Sequence, residues 1–319
     1  MKLFLAPMEG VLDHPMREIL SDLGGFDSCV SEFIRVTDQL LPPKVFYRLC
    51  PELKQGGKTQ NGMPVIVQLL GSDPNILAAN AARACDLGAL GIDLNFGCPA
   101  KTVNRHGGGA ALLTNPEVLH TIVANVRAAV PTNIPVTAKM RLGFEDKSLA
   151  IENACAIEAA GAANITVHAR TKVEGYAPPA HWHWIAKINQ QVSIPVIANG
   201  EIWNLSDYHR CREISQCQDV MIGRGAIRTP DIGLQIKAAN QGLTYNSLQW
   251  ADICQLVLDF YRSIAHIPPA FAGSRLKQWI GLLSHGYPEA RSLFDRIKRL
   301  RDIEQIVNEV NYNLAIFKK

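Results

Sequence analysis

The chain has 319 residues, 47% of them apolar and 19% charged, and a net charge of +3. That composition belongs to an ordinary soluble protein, and no apolar run reaches the roughly 18 residues that span a bilayer, so no membrane partner is expected. Eight scattered cysteines without a C-x-x-C pair indicate neither a zinc site nor a disulfide framework, and point to reduced thiols in the cytosol. The N-terminus meets glutamate and proline too early for a signal peptide. The length exceeds one usual core, although an α/β barrel runs to about 250 residues as one domain, so a barrel with an appendage is expected.

Eight strand-like runs follow in order, at 3–6, 29–33, 65–70, 92–96, 136–141, 165–168, 196–199 and 220–223. Several are short and almost wholly apolar, as in parallel strands covered on both sides. Segments with helical spacing, such as 76–87 and 116–130, lie between them. Eight such units predict a (β/α)8 TIM barrel, with a doubly wound open sheet as the runner-up. Polar residues end nearly every run: Pro7-Met8-Glu9, Glu32, Gln68, Asn95 with Cys98, Lys139 with Arg141, His168 with Arg170, Asn199-Gly200-Glu201, and Gly223-Arg224. Barrel active sites form at those ends. After Arg224 no strand-like run appears, and helices are expected at 231–241, 247–264, 276–283 and 289–310. The predicted division is a catalytic barrel at 1–242 and an all-helical C-terminal domain at 243–319.

Residues 91–111, GIDLNFGCPAKTVNRHGGGAA, carry the densest signal. A strand runs into Gly97-Cys98-Pro99 and must stop, because proline lacks the ladder donor. Cys98 is therefore set at a strand end, with Asn95 just before it. A free cysteine is most often a small buried hydrophobe, but the polar company argues for chemistry here. The glycine run 107–109 either lets backbone amides approach a ligand or lets the chain turn. Lys139 ends its strand in apolar surroundings and is turned inward by alternation, for a ligand or for an ion pair. The glycine-bearing loops at 197–201 and 221–225 suit a phosphate, which Arg224 would hold with charge-assisted donors.

These stretches, with APMEGVLDHPMRE at 6–18, VQLLGSDP at 67–74, KMRLG at 139–143 and VHART at 167–171, resemble the tRNA-dihydrouridine synthases. The match covers most of residues 1–230. It implies flavoenzymes that reduce uridines in tRNA, with FMN as cofactor and NADPH or NADH as reductant. The phosphate of FMN would lie on Asn199, Gly200, Glu201, Gly223, Arg224 and His168, and the pyrimidine edge on Lys139. Gln68 and the Pro7-Met8-Glu9 backbone resemble the remaining flavin contacts. Cys98 resembles the acid that gives uracil its proton, and Asn95 and Arg141 would hold the uracil, with Tyr176 beside them. Residues 32–39, EFIRVTDQ, and Lys277-Gln278-Trp279 resemble the bacterial subfamily C, which acts on uridine 16 of the D-loop.

Residues 275–301 hold seven basic residues against two acidic, a candidate polyanion surface that a solvated helix face explains equally well. On one helix over 289–310, Arg291 and Lys298 stand one heptad apart, off the stripe of Leu293, Ile297 and Leu300. They are expected to meet tRNA phosphates, with Lys277 and a stacking Trp279 beside them and Arg35 approaching from the barrel. Helix packing explains Trp279 as well. The expected protein is a cytoplasmic, monomeric, metal-free enzyme acting on the D-loop and elbow of tRNA. The alternatives are a flavin barrel for a free pyrimidine, like dihydroorotate dehydrogenase, and a tRNA-binding protein without catalysis.

Overall fold

A computed structural model describes residues 1–318. Strands β1 (Leu3–Leu5), β2 (Ser28–Val30), β3 (Ile34–Arg35), β4 (Val65–Leu70), β5 (Ile92–Phe96), β6 (Val136–Arg141), β7 (Ile165–His168), β8 (Val196–Asn199) and β9 (Asp219–Ile222) form one parallel sheet. β1 pairs with both β2 and β9, and β2 pairs with β4, so the sheet closes into a barrel. Closure disposes of the open-sheet alternative.

The expected second strand at 29–33 is instead two pieces. Cys29 lies opposite Val65 and Ile34 opposite Leu69, so β2 and β3 are the lower and upper parts of one stave. The register slips by one residue between them, as a bulge does, and this interruption turns Glu32 toward β1. There its Oε1 accepts the Gly10 N–H at 2.6 Å.

Helices start where capping chemistry places them. Asp73 and Asn115 accept backbone N–H bonds at the head of Pro74–Asp86 and Pro116–Ala129, each with proline in the first turn. Inside the barrel, Ala6, Val30, Ile197 and Met221 pack with Phe4 and Ile66 as an apolar plug. The β4–β6 side of the interior is polar instead, carrying Gln68, Asp93 and Thr137.

The chain divides into two compact units. The first comprises Met1–His14, Phe26–Ile202 and Ser206–Gly223 and contains the barrel strands. The second comprises Pro15–Gly25, Trp203–Leu205 and the chain from Arg224 on. The junction expected near residue 243 thus falls inside the second unit. Helices Arg224–Arg228 and Ile232–Asn240 belong with the tail because Trp279 donates its indole N–H to Ile227 O at 3.1 Å. Gly25, at φ +92°, leaves room for Gly233, whose backbone a Cβ would meet at 2.6 Å.

The single helix expected at 289–310 is two, Pro288–Ile297 and Ile303–Phe317. Asp302 accepts from Glu304 N at 2.9 Å and starts the second, while Lys277 Nζ donates to Leu300 O at 2.8 Å in the break. No helix among the described residues is long and apolar enough to cross a membrane.

Candidate active site

Cys98 leaves the end of β5 and is 9% exposed. Its loop folds around its own carbonyl, which accepts from Asn104 Nδ2 at 3.0 Å and Ala110 N at 3.2 Å. Gly109, at φ +60°, lies against it, and a Cβ there would come 2.9 Å from Cys98 O and 3.0 Å from Cys98 Cβ. Of the two roles open to the glycine run, Gly109 thus serves the turn. Gly109→Ala is expected to cost about 1–3 kcal/mol through left-handed strain and the clash. A thermal melt checks this, and an unchanged midpoint would refute it.

Burial pushes the Cys98 thiol up, and the nearby Glu9 adds to the effect. A backbone hydrogen bond at Ala100 and the charges of Arg141 and Arg35 oppose it without reversing it. The residue is a protonated thiol at neutral pH, fit to give a proton and poorly fit to attack as a thiolate.

Beside it, hydrogen bonds run along the barrel interior from a buried carboxylate. Asp93, 3% exposed, accepts from Thr137 Oγ1 at 2.6 Å and Gln68 Nε2 at 2.7 Å. Gln68 Oε1 accepts from Asn95 Nδ2 at 2.8 Å, and Asn95 Oδ1 accepts from Gly97 N at 3.0 Å. Gln68 and Asn95 are therefore oriented by their neighbours before any ligand arrives. Burial pushes the Asp93 carboxyl up, against its two hydrogen bonds and the charge of Lys139. The sequence reading passed over Asp93. Its signal was a charge in an apolar parallel strand, two residues before Asn95 and so on the same face.

Lys139 lies opposite Asn95 in the β5–β6 register. Its ammonium makes no hydrogen bond or ion pair with another described residue. Burial, then repulsion from Arg141, lowers its pKa to about 8, while Asp93 and Cys98 pull the other way. Such an unpartnered cation suits the electron-rich edge of a bound group.

Arg141, 3% exposed, donates to Gly97 O at 2.8 Å, Thr171 O at 3.1 Å and Gly175 O at 2.8 Å. It ties the Cys98 loop to the loop after β7. Tyr176, 52% exposed, lies 5.2 Å over the Arg141 guanidinium and edge-on to His168 at 6.0 Å. Glu174 was likewise missed. Its carboxylate takes Lys147 Nζ at 2.5 Å, His181 Nε2 at 2.9 Å and Thr171 N at 2.7 Å. Although burial works to raise it, these partners bring Glu174 down to about 2, so it clamps the Tyr176 loop at any ordinary pH.

The remaining expected contacts separate. Met8 O accepts from Val11 and Leu12 N–H in a turn after Pro7 that leaves Glu9 exposed. Asn199 donates to Met221 O at 2.8 Å, and a Cβ on Gly200, at φ +111°, would lie 3.3 Å from His168 Nε2. A Cβ on Gly223 would likewise lie 3.3 Å from Met8 Sδ. Two close-approach glycines, the His168 imidazole beside Gly200 and the unpartnered ammonium of Lys139 fit an anionic, phosphorylated cofactor. Glu201, at φ +61°, is ion-paired to buried Arg170, which leaves backbone groups of its loop for a ligand. Arg224 opens a helix of the second unit, 4.8 Å over the Trp203 ring.

In the tail, Trp279 corrects the expectation. It is 1% exposed, hydrogen-bonded to Ile227 O and edge-on to Phe260 at 5.2 Å, so no base can stack on it. Lys277 is spent on Leu300 O. Arg291 is exposed on helix Pro288–Ile297, but Lys298 follows that helix and pairs with Asp295 at 2.6 Å. The two no longer share a long helix. Arg35 is exposed at the end of β3.

The family model for dihydrouridine synthases matches residues 4–275. A protein of Pseudomonas putida named tRNA-dihydrouridine(16) synthase is 54% identical over 307 residues, covering 96% of this chain and 95% of that one. Proteins of the same name from Ralstonia nicotianae (51% over 315 residues, 98% of this chain and 96% of that one) and Neisseria meningitidis serogroup B (47% over 309 residues, 96% and 93%) are also similar. Among solved structures, an old yellow enzyme homologue from Zymomonas mobilis shares the barrel at a TM-score of 0.51 and 11% identity, covering 77% of this chain and 90% of that one.

Proposed function

Because the chain belongs to the dihydrouridine synthase family, we infer that it reduces uridine 16 of tRNA to 5,6-dihydrouridine. One juxtaposition supports the chemistry best: a protonated thiol at the end of β5 beside an unpartnered ammonium on β6. Uracil reduction needs a hydride at one ring carbon and a proton at its neighbour. FMN, recharged by NADPH or NADH, supplies the hydride when bound.

The protein's own residues do the rest. Lys139, Gln68 and His168 hold the cofactor with the Met8 turn and the Asn199-Gly200 and Gly223-Arg224 backbone. Cys98 gives the proton. Asn95, Arg141 and Tyr176 hold the uracil, which a preoriented Asn95 amide and a clamped Tyr176 loop do without reordering at the moment of reaction. Arg35, Arg291 and the other free basic groups after residue 242 meet tRNA phosphates, which position the RNA without reading it. The enzyme works as a cytoplasmic monomer. A free-pyrimidine reductase would have no use for the basic tail, and intact Cys98 and Lys139 argue against lost catalysis.

The purified protein is expected to be yellow and to bind FMN noncovalently, and tRNA from cells lacking it to carry uridine at position 16. A protein that takes up no flavin on titration would refute the cofactor, and unchanged dihydrouridine at that position would refute the substrate.

A further inference from the structure

Beside the contacts assigned above, and sharing Arg35 with them, a recess of about 270 Å³ opens in the barrel unit between β3, helix Pro43–Leu49 and the Cys98 loop. Two guanidinium groups line it, those of Arg35 and Arg48. Neither makes a hydrogen bond or ion pair with another described residue. Arg48 stands in the last turn of its helix, where a cation is favoured by the helix dipole, but that does not require it to border a recess. The carboxylates of Glu9 and Glu32 line the same space, with Thr102 and the ring of Phe33.

The lining sets the ligand class. An inorganic phosphate would meet two carboxylates as well as two arginines. A nucleobase edge carries both N–H donors and carbonyl or ring-nitrogen acceptors, so it can use both signs, and its faces suit Phe33 and a guanidinium plane. The volume also lies just below the roughly 300–1,000 Å³ of pockets for drug-sized ligands, as a single base requires.

Position sets which base. Phe33, Ala100 and Val103 line the recess and also pack around Cys98 with Leu70. The wall of the recess is thus the wall of the reactive thiol. We propose that the recess receives an unpaired nucleobase adjacent to the reactive uridine in the same strand, held by Arg48 against Phe33, with Arg35 at its edge on the neighbouring phosphate. This rests on the reading that uridine reacts at Cys98. It makes Arg48 a specificity residue and gives the enzyme a second base contact by which to choose one uridine among many.

The test compares intact tRNA with tRNAs made abasic on either side of the target, for the wild-type enzyme and Arg48→Ala. Wild-type kcat/KM is expected to fall about tenfold on one of the two abasic RNAs. Arg48→Ala is expected to lose as much on intact tRNA and little more on that abasic RNA, because both changes remove one interaction. NADPH oxidation without RNA is expected to be the same in both proteins, which shows that the variant is folded. Wild-type activity of Arg48→Ala on intact tRNA overturns the proposal, as do losses that add fully with both abasic RNAs. A wild-type enzyme that reduces no uridine in intact tRNA overturns instead the reading on which the proposal rests.

Discussion

Cys98→Ala is expected to form dihydrouridine about 10²–10⁴-fold more slowly than the wild type, the usual cost of losing a positioned acid. FMN binding and NADPH oxidation without RNA should be unchanged, because the role proposed for Cys98 is to give the proton and no more. Single-turnover reduction of tRNA checks this, and near-normal turnover would move the acid elsewhere. The pH profile separates two groups. The Cys98 pKa lies above its ordinary 9.0, so the thiol keeps its proton through neutral and mildly alkaline pH. Lys139, lowered to about 8, loses its charge first as pH rises in the ligand-free protein. A decline in FMN affinity beginning near pH 8 that vanishes in Lys139→Met but persists in Cys98→Ala therefore belongs to the lysine.

The barrel was legible because its strands are short apolar runs that alternation cannot disguise, and seven of the eight predicted runs lie within a residue of those found at both ends. The exceptions have local causes. The bulge between β2 and β3 leaves no mark in the alternation, since an inserted residue is invisible without its partner strand. The break before Asp302 was readable as an N-cap, but the apolar stripe of Leu293, Ile297 and Leu300 running up to it hid it. Strand ends announced Cys98, Lys139 and Arg141, because barrel geometry puts every such end at one mouth. Asp93 and Glu174 were missed for opposite reasons. Asp93 acts from within a strand, on groups from two neighbouring strands, and only the register brings them together. Glu174 sits in a loop whose partners, Lys147 and His181, lie 27 and 7 residues away, at distances no periodicity encodes. Trp279 was misplaced because a tryptophan beside a lysine looks the same in a core as on an RNA surface.

Asp93→Leu is expected to loosen both halves of the site at once. The carboxylate is the only group here that can accept from Gln68 and Thr137 together without offering a proton of its own when ionised. With leucine, the Thr137 hydroxyl can turn to Ile92 O, already at 3.5 Å, but the Gln68 Nε2 group is left buried without an acceptor. That costs about 1–3 kcal/mol, or is relieved by flipping the Gln68 amide. A flip turns N–H groups toward Asn95 Nδ2, breaks that hydrogen bond, and frees Asn95 from Gly97, the residue before Cys98. FMN affinity is expected to fall about tenfold and the KM for tRNA to rise, each a loss of about 1.4 kcal/mol. Asp93→Asn is the control for charge and packing. Its Oδ1 can still accept from Gln68 while its Nδ2 donates to a reversed Thr137 hydroxyl, so both constants should stay within about threefold of the wild type. Equal losses in the two variants would mean that the negative charge matters and the amide orientation does not. Equal wild-type behaviour would mean that Gln68 and Asn95 find their orientations from the ligand alone.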